Sequence, residues 1–251
     1  MKVYDAKPRS KSLIKLMIAR LHLRKEGMYM KKKKIISIIL LIILTLIIIF
    51  LSFTIRKMII INDLSKKVES YVNSNNFYEK ITNNMGTTTE FYCKGNNTVM
   101  FMNSTLETGE KRTFVTYTKG EKNNSYIDTG IEKVALLDSE GETLKINIIG
   151  IKSYYNNLWD LFRVAVSSSI KNGEHNGKQC YILSIGKPDE AYVEYREKET
   201  GLMLKSIQGA IVDKNGNETD MIVEYYYEFD NVDDSIFIEP DISQYRIQEN
   251  N

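Results

Sequence analysis

Residues 219–230, TDMIVEYYYEFD, alternate between apolar and acidic positions. One set of alternate positions holds Met221, Val223, Tyr225, Tyr227 and Phe229, and the other holds Asp220, Glu224, Glu228 and Asp230. Successive side chains of a β-strand point to opposite faces, so this stretch predicts a strand with one packed face and one wet face. One-sided burial is typical of an antiparallel sheet.

Further strands are predicted on both sides of this stretch. Residues 191–198 also alternate, with Ala191, Val193 and Tyr195 predicted to be packed and Glu194, Arg196 and Lys198 predicted to face water. Upstream, residues 87–103 read as a hairpin around Gly95, Asn96 and Asn97, and strands are predicted at 111–118, 125–137 and 143–150. The sequence therefore predicts a mainly β domain with short meander connections.

Two helices accompany the predicted sheet. In DLSKKVESYV (63–72), apolar residues recur at helical spacing, and Asn62 or Asp63 is a suitable N-cap. A short second turn is predicted to begin at Phe77 and Ile81, after the interruption at 74–76. In mid-chain, NNLWDLFRVAVSSSIKNG (156–173) predicts an inserted helix that is capped by Asn157 and ends near Gly173. Its apolar stripe is expected to cover the concave face of the sheet.

An uninterrupted apolar run, IISIILLIILTLIIIFLSFTI, occupies residues 35–55. As a helix it would be roughly 31 Å long, which matches a hydrocarbon core of about 30 Å. Residues 1–34 hold 12 Lys/Arg against 2 Asp/Glu, a net charge of +10, whereas residues 58–251 hold 20 against 30, a net charge of −10. Because basic flanks stay on the cytoplasmic side, we predict a single-pass protein of the cell membrane with an extracytoplasmic domain at 58–251.

Alternatives to a retained anchor fit less well. The apolar core exceeds the usual length of a signal peptide, and SFTIRK after it offers no small-x-small cleavage site. A lipid anchor would need a cysteine just after the run, yet the first cysteine is Cys93. The segment before the span has two interpretations. Either translation starts at Met28 or Met30, or residues 1–29 form a basic amphipathic segment suited to an anionic leaflet.

The sequence offers little that is typical of a catalytic or metal centre. His175 is the only histidine beyond the span, and no nucleophile lies near it in sequence. The acidic stretches at 194–199 and 230–234 could bind a cation or act in acid/base chemistry, but we interpret them as solvated surface. Cys93 and Cys180 leave two alternatives open, a disulfide or a pair of buried free thiols. We predict a protein that is not an enzyme, with no cofactor, no metal and no nucleic-acid partner.

Residues 177–241 resemble the LolA, LppX and RseB type of bacterial domain. The resemblance rests on a turn at Glu199, Thr200 and Gly201, a strand at Leu202 to Lys205, and an exit at Phe237 and Pro240. It implies a strongly curved antiparallel sheet, an incomplete β-barrel, whose apolar concave face is partly closed by helices. Members carry lipids or lipoproteins, or sense them as regulators of envelope stress. A tethered chain is better suited to local acceptance or sensing than to carriage.

The combined expectation is an α+β, mainly β, extracytoplasmic module that binds a lipid or the acyl chain of a lipoprotein. The residues expected to line its cavity are Leu158, Trp159, Leu161, Phe162, Met221, Val223, Tyr225 and Tyr227. For each of them, a place in an ordinary filled core is the alternative. The alternative function is a regulatory ectodomain that binds a protein partner through sheet edges or its acidic face, without a lipid.

Overall fold

One long helix, α1 (Ser10–Val72), contains the whole apolar run. The described side chains from Ile35 to Phe53 are all exposed. The stretch Lys33–Val72 has the length and composition of a membrane-crossing helix, and a signal anchor and a signal sequence both meet this criterion. The predicted new start at Asn62 or Asp63 is wrong, because the preceding turns of α1 continue through this point and no N-cap is needed.

The computed structural model describes residues 10–106, 108–120, 122–140, 155–185, 192–212 and 218–248. The chain divides into two compact units, Met1–Phe53 and Thr54–Asn251. The first unit, as far as it is described, is helix. The second contains the C-terminal turns of α1, a short helix α2 (Leu158–Ser167) and a sheet.

Twelve strands of the described chain form this sheet, in the order β12-β6-β5-β4-β3-β2-β1-β11-β10-β9-β8-β7. Their bounds are β1 Asn76–Asn83, β2 Thr88–Lys94, β3 Asn97–Thr105, β4 Lys111–Lys119, β5 Lys122–Asp128, β6 Lys133–Glu140, β7 Ser169–His175, β8 Lys178–Ile185, β9 Tyr192–Glu197, β10 Met203–Val212, β11 Glu218–Phe229 and β12 Arg246–Gln248. All neighbours are antiparallel except β12, which lies parallel to β6. The antiparallel, mainly β prediction is confirmed. The sheet is neither closed nor strongly curled, so the predicted incomplete barrel is wrong.

Strand β1 occupies the residues for which a second helical turn was predicted. It lies between β2 and β11, with Phe77 opposite Cys93 on one side and Phe229 on the other. Phe77 and Glu79 are buried on one face, which is the period of two of a strand. The helical expectation at Phe77 and Ile81 is therefore wrong, because pairing with distant strands overrides the local spacing.

Other boundaries differ from the prediction where turns intervene. The predicted strand 125–137 is divided between β5 and β6 by a turn in which Gly130 has a φ of 78°. Helix α2 begins after Asn157, as predicted, but it ends at Ser167, and Gly173 lies within β7. The Gly173 Cα packs so closely on Ile182 that an added Cβ would lie 2.5 Å from the Ile182 Cδ1. The predicted strand 143–150 lies outside the described residues.

The two helices of the second unit cover one face of the sheet, called here the helix-covered face. A first cluster joins Ile61 and Leu64 of α1 to Leu161 and Ala165 of α2 and to Leu183 of β8. A second cluster joins Val68 of α1 to Phe77 and Leu202. Burying each of the larger apolar side chains contributes roughly 1.5–3 kcal/mol, so these clusters hold both helices against the sheet.

The opposite face has its own core under the C-terminal segment 230–248. Val99, Tyr117, Tyr126 and Ala135 are buried there, with Phe237 and Tyr245 packed against them. A row of aromatic rings crosses this face, with adjacent centroids 4.7–6.5 Å apart: Tyr226, Tyr78, Tyr92, Phe101, Tyr117, Tyr126 and Tyr245. The Glu239 carboxylate accepts hydrogen bonds from the Tyr126 hydroxyl (2.6 Å) and the Asn124 amide (2.7 Å). These contacts fix the segment to the sheet.

Candidate functional site

A pocket of about 360 Å³ lies where the end of α1, the β7–β8 turn and the β9–β10 turn meet β11. Its volume is near the small end of the range of about 300–1,000 Å³ that is usual for ligand sites. The lining residues are Tyr71, His175, Asn176, Lys178, Glu197, Thr200, Leu202, Leu204, Tyr225, Tyr226, Tyr227 and Phe229. The pocket therefore combines an apolar wall with a polar end.

The apolar wall consists mainly of packed aromatic rings. The ring centroids of Tyr71 and Phe229 are 4.7 Å apart, and those of Tyr227 and Phe229 are 6.3 Å apart in a stacked arrangement. Leu202 and Leu204 are almost fully buried beside them. Such rings bring a large apolar area with few rotatable bonds, and their packing on one another restricts their movement.

The polar end is organised around the nearly buried carboxylate of Glu197. Its Oε1 is 3.1 Å from the Lys178 Nζ, and its Oε2 accepts a hydrogen bond from the Thr200 hydroxyl at 2.6 Å. The imidazole of His175 lies 3.2 Å from the Asn176 side-chain nitrogen and 3.9 Å from a carboxylate oxygen of Glu224. A ligand with an apolar body and a polar head would meet matching surfaces at both ends.

The structure separates the residues that were predicted to line one cavity. Tyr225 and Tyr227 line the pocket, whereas Met221 and Val223, on the same face of β11, are half-buried outside it. Leu161 belongs to the core between α1, α2 and the sheet. The other three residues of α2 lie on its outer side: Leu158 is 74% exposed, Trp159 is 67% exposed, and Phe162 borders a shallow surface depression.

Sequence reasoning missed a buried ion pair on the helix-covered face. Glu194 and Arg196 of β9 have no exposed side-chain area, and the Arg196 Nε donates to the Glu194 Oε2 at 2.6 Å. The predicted burial of this strand is thus reversed, since Val193 and Tyr195 are only half-buried. Alternation gives the period of a strand but not which face is packed. The Arg196 guanidinium also donates to the Gly201 carbonyl oxygen, so the β9–β10 turn supplies a second partner for the buried charge.

Glu79 is a second buried acid on this face, opposite Tyr227 in the β1–β11 register. Burial raises the pKa of its carboxyl group to about 7, and an interaction with the Tyr227 hydroxyl only partly opposes that rise. The ionisation of Glu79 therefore takes place beside a tyrosine that lines the pocket.

We expect Glu79 to make the domain less stable as the pH rises from about 4.5 to 7. Because its pKa is higher in the folded than in the unfolded chain, the folded state binds more protons in this window, and the free energy of unfolding falls with pH. The total loss is about 3 kcal/mol, and it is complete above pH 7. Glu79→Gln should lack this loss. Pulse proteolysis of the full chain in detergent across this pH range would measure the difference from the wild type.

Glu110→Gln is the matched control, because Glu110 is exposed and its replacement should leave the pH dependence of the wild type unchanged. Parallel pH profiles for the wild type and Glu79→Gln would contradict the assignment.

Both cysteines are free thiols in the structure. Cys93 lies on β2 and Cys180 on β8, with four strands between them. Five strand spacings separate the two by roughly 24 Å, whereas a disulfide needs Cα atoms within about 7 Å. The disulfide alternative is not realised, and burial raises the pKa of both thiols.

No group of three or more His, Cys, Asp or Glu side chains within the described ranges is arranged to hold a metal ion. The acidic stretch 230–234 is used structurally instead. The Asp233 carboxylate accepts the Ser235 backbone N–H and caps a short 3-10 helix, Asp234–Phe237. The Lys94 Nζ lies 2.8 Å from the Asp234 carboxylate.

No protein-family model matches the chain, and no curated protein matches its sequence. Among solved structures, MucB in complex with MucA(peri) is similar with a TM-score of 0.27 and 11% identity, over 65% of this chain and 55% of the MucB chain. The hypothetical protein CT021 from Chlamydia trachomatis is similar with a TM-score of 0.26 and 9% identity, over 68% of this chain and 94% of that chain. The match thus spans about half the length of MucB. Both similarities are distant, and neither carries a conclusion about function.

Proposed function

We propose that this chain is a membrane-anchored extracytoplasmic binding module that holds the apolar part of a lipid, or the acyl chain of a lipoprotein, without catalysis. The observation that carries the proposal is the pocket beside β11, with its apolar wall and polar end. The apolar run at 35–55 supplies the anchor, and the charge difference across it favours an external domain.

The chemistry of the pocket supports an amphipathic ligand. Tyr71, Leu202 and Phe229 offer apolar surface to a hydrocarbon chain, for which each buried CH₂ contributes about 0.8 kcal/mol. At the polar end, the Lys178 ammonium can meet an anionic or hydroxylated head group without leaving Glu197. The His175 imidazole, which lies beside the Asn176 amide and the Glu224 carboxylate, can exchange a hydrogen bond with the same head group.

Tyr71→Glu tests the pocket directly. Tyr71 is half-buried at the end of α1, so a carboxylate fits sterically but places charge against the apolar wall. We expect the affinity for anthroyloxy-labelled palmitate to fall by about tenfold or more, which is about 1.4 kcal/mol. The measurement is a fluorescence titration of the purified full chain in a detergent-free lipid nanodisc.

Ser70→Glu is the matched control, since it adds the same charge to the neighbouring, exposed position of the same helix. Equal affinities for both variants and the wild type would contradict binding in this pocket. Native mass spectrometry of the same samples would show whether a lipid co-purifies with the wild type and is lost from Tyr71→Glu.

One observation favours the regulatory alternative. Strand β7 ends the sheet and is paired only with β8 among the described strands, so the other edge of Ser169–His175 can pair with an added strand. In that case, a partner would be captured by the wild type and lost when proline replaces Lys171, with lipid binding unchanged.

A further inference from the structure

Helix α2 (Leu158–Ser167) is apolar on more than one face. Seven of its ten residues are apolar, and only Leu161 and Ala165 are buried, against α1 and β8. A helix of a water-soluble domain usually carries one apolar stripe and a polar outer face. The outer face of α2 therefore needs a different explanation from its inner face.

That outer face is a patch of large apolar side chains. Leu158 is 74% exposed, Trp159 is 67% exposed and Val166 is 43% exposed. The Trp159 ring stacks on the half-buried Phe162 ring with centroids 5.5 Å apart and an interplanar angle of 17°. Clustered exposed apolar groups mark a surface that is covered by something other than water.

The contact between α2 and Lys57, which closely follows the apolar run in the sequence, indicates what covers this patch. The Lys57 Nζ donates to the Ala165 carbonyl oxygen at 3.1 Å and to the Ser168 carbonyl oxygen, and so caps the C-terminal end of α2. Lys57 follows Ile55, the last residue of the run, by two positions, which is about 3 Å of helix rise. A span at 35–55 therefore places this end of α2 at the boundary between membrane and water.

We propose that α2 is an interfacial helix whose outer face, formed by Leu158, Trp159, Phe162 and Val166, lies in the head-group region of the bilayer that α1 crosses. The occupant of the patch is the lipid surface itself. Tryptophan is favoured at this depth because its ring is apolar and its N–H is polar. The inference rests on the span of the proposed function but is independent of the pocket beside β11.

This contact gives the domain a second attachment to the membrane. A single membrane-spanning helix alone leaves the domain free to rotate relative to the membrane. An interfacial α2, which is packed on the domain through Leu161 and Ala165, would fix which face of the domain is turned toward the lipid. An amphipathic helix of this kind buries its apolar face about 5–10 Å into the boundary of head groups and acyl chains.

The test uses the protein's own fluorescence, because Trp159 is its only tryptophan. The full chain is reconstituted into vesicles of phosphatidylcholine and phosphatidylglycerol, with and without lipids brominated near the head group. We expect brominated lipid to quench roughly half or more of the Trp159 emission at this depth, and we expect aqueous iodide to quench little. The matched control carries Trp159→Phe and Ile131→Trp, which moves the tryptophan to a turn position that is 84% exposed.

The control tryptophan should respond in the opposite way, with iodide quenching and no effect of brominated lipid. In Leu158→Glu, a change at an exposed site, Trp159 should become accessible to iodide. Quenching of Trp159 by iodide to the level of the control would overturn the proposal. Shielding of Trp159 from both quenchers would also overturn it, in favour of a protein partner or a second copy. Release of the chain from the vesicles by alkaline carbonate would show that residues 35–55 do not span the membrane. Absence of palmitate binding, with Trp159 still quenched by brominated lipid, would contradict only the proposed ligand pocket.

Discussion

Replacing Gly201 by alanine is expected to lower the free energy of unfolding of the domain by about 3–4 kcal/mol. Gly201 has a φ of 76°, and a Cβ atom there would lie 2.4 Å from the Leu64 carbonyl oxygen and 3.2 Å from the Val68 backbone nitrogen. Two costs therefore add, the strain of the left-handed conformation and the collision of the β9–β10 turn with the backbone of α1. The melting temperature of the full chain in detergent should fall by about 10 °C.

Gly177→Ala separates these two costs. Gly177 has the same φ of 76°, but no heavy atom lies within 4 Å of its added Cβ, so this variant carries the conformational strain alone. We expect it to lose about 1–2 kcal/mol, the usual cost of one left-handed residue. If both variants lost the same stability, the close approach of Gly201 to α1 would not contribute.

Arg196→Ala is expected to destabilise the domain by about 3–5 kcal/mol, because it leaves the Glu194 carboxylate buried without its 2.6 Å partner. It also removes the hydrogen bond from Arg196 to the Gly201 carbonyl oxygen, which steadies the turn against α1. Urea titration with pulse proteolysis of the full chain would measure the loss.

Two further variants test whether the loss in Arg196→Ala comes from leaving a buried charge unpaired. Lys122→Ala breaks the exposed pair with Asp138, whose side chains are 73% and 70% exposed, and should cost about 1 kcal/mol or less. The double change Glu194→Leu and Arg196→Met removes both charges and should recover most of the loss caused by Arg196→Ala. If the double variant lost as much stability as the two single variants, Glu194→Leu and Arg196→Met, lose together, packing rather than charge would dominate at this site.

The sequence predicted those elements whose signals are local. Asn157 marked the start of α2, and its side chain does accept the Asp160 backbone N–H. The alternation at 219–230 predicted β11, and Gly95 marked the turn between β2 and β3. Each of these signals depends on residues within a few positions, so no knowledge of the distant chain was needed.

Features that depend on distant partners were missed. Phe77 has helical spacing to Ile81, but it becomes part of a strand because β11 and β2 pair with it on both sides. Arg196 was assigned to solvent because alternation within its strand does not show that α1 and α2 cover the face that carries Glu194 and Arg196. The candidate pocket gathers α1, two turns and β11, so periodicity within β11 identified Tyr225 and Tyr227 but not Tyr71 or Lys178.

The place of β1 in the middle of the sheet has a consequence for how the chain is made. Phe77 of β1 faces Phe229 of β11, so 229 − 77 = 152 positions separate two residues that are neighbours in the folded sheet. Because synthesis proceeds from the N-terminus, the edge of β1 that pairs with β11 stays unpaired until β11 has been synthesised. Such long-range pairing is slow and exposes strand edges that aggregate. The sheet therefore cannot be completed around β1 until β11 has been made, and a fragment that ends before β11 should leave this edge of β1 unpaired.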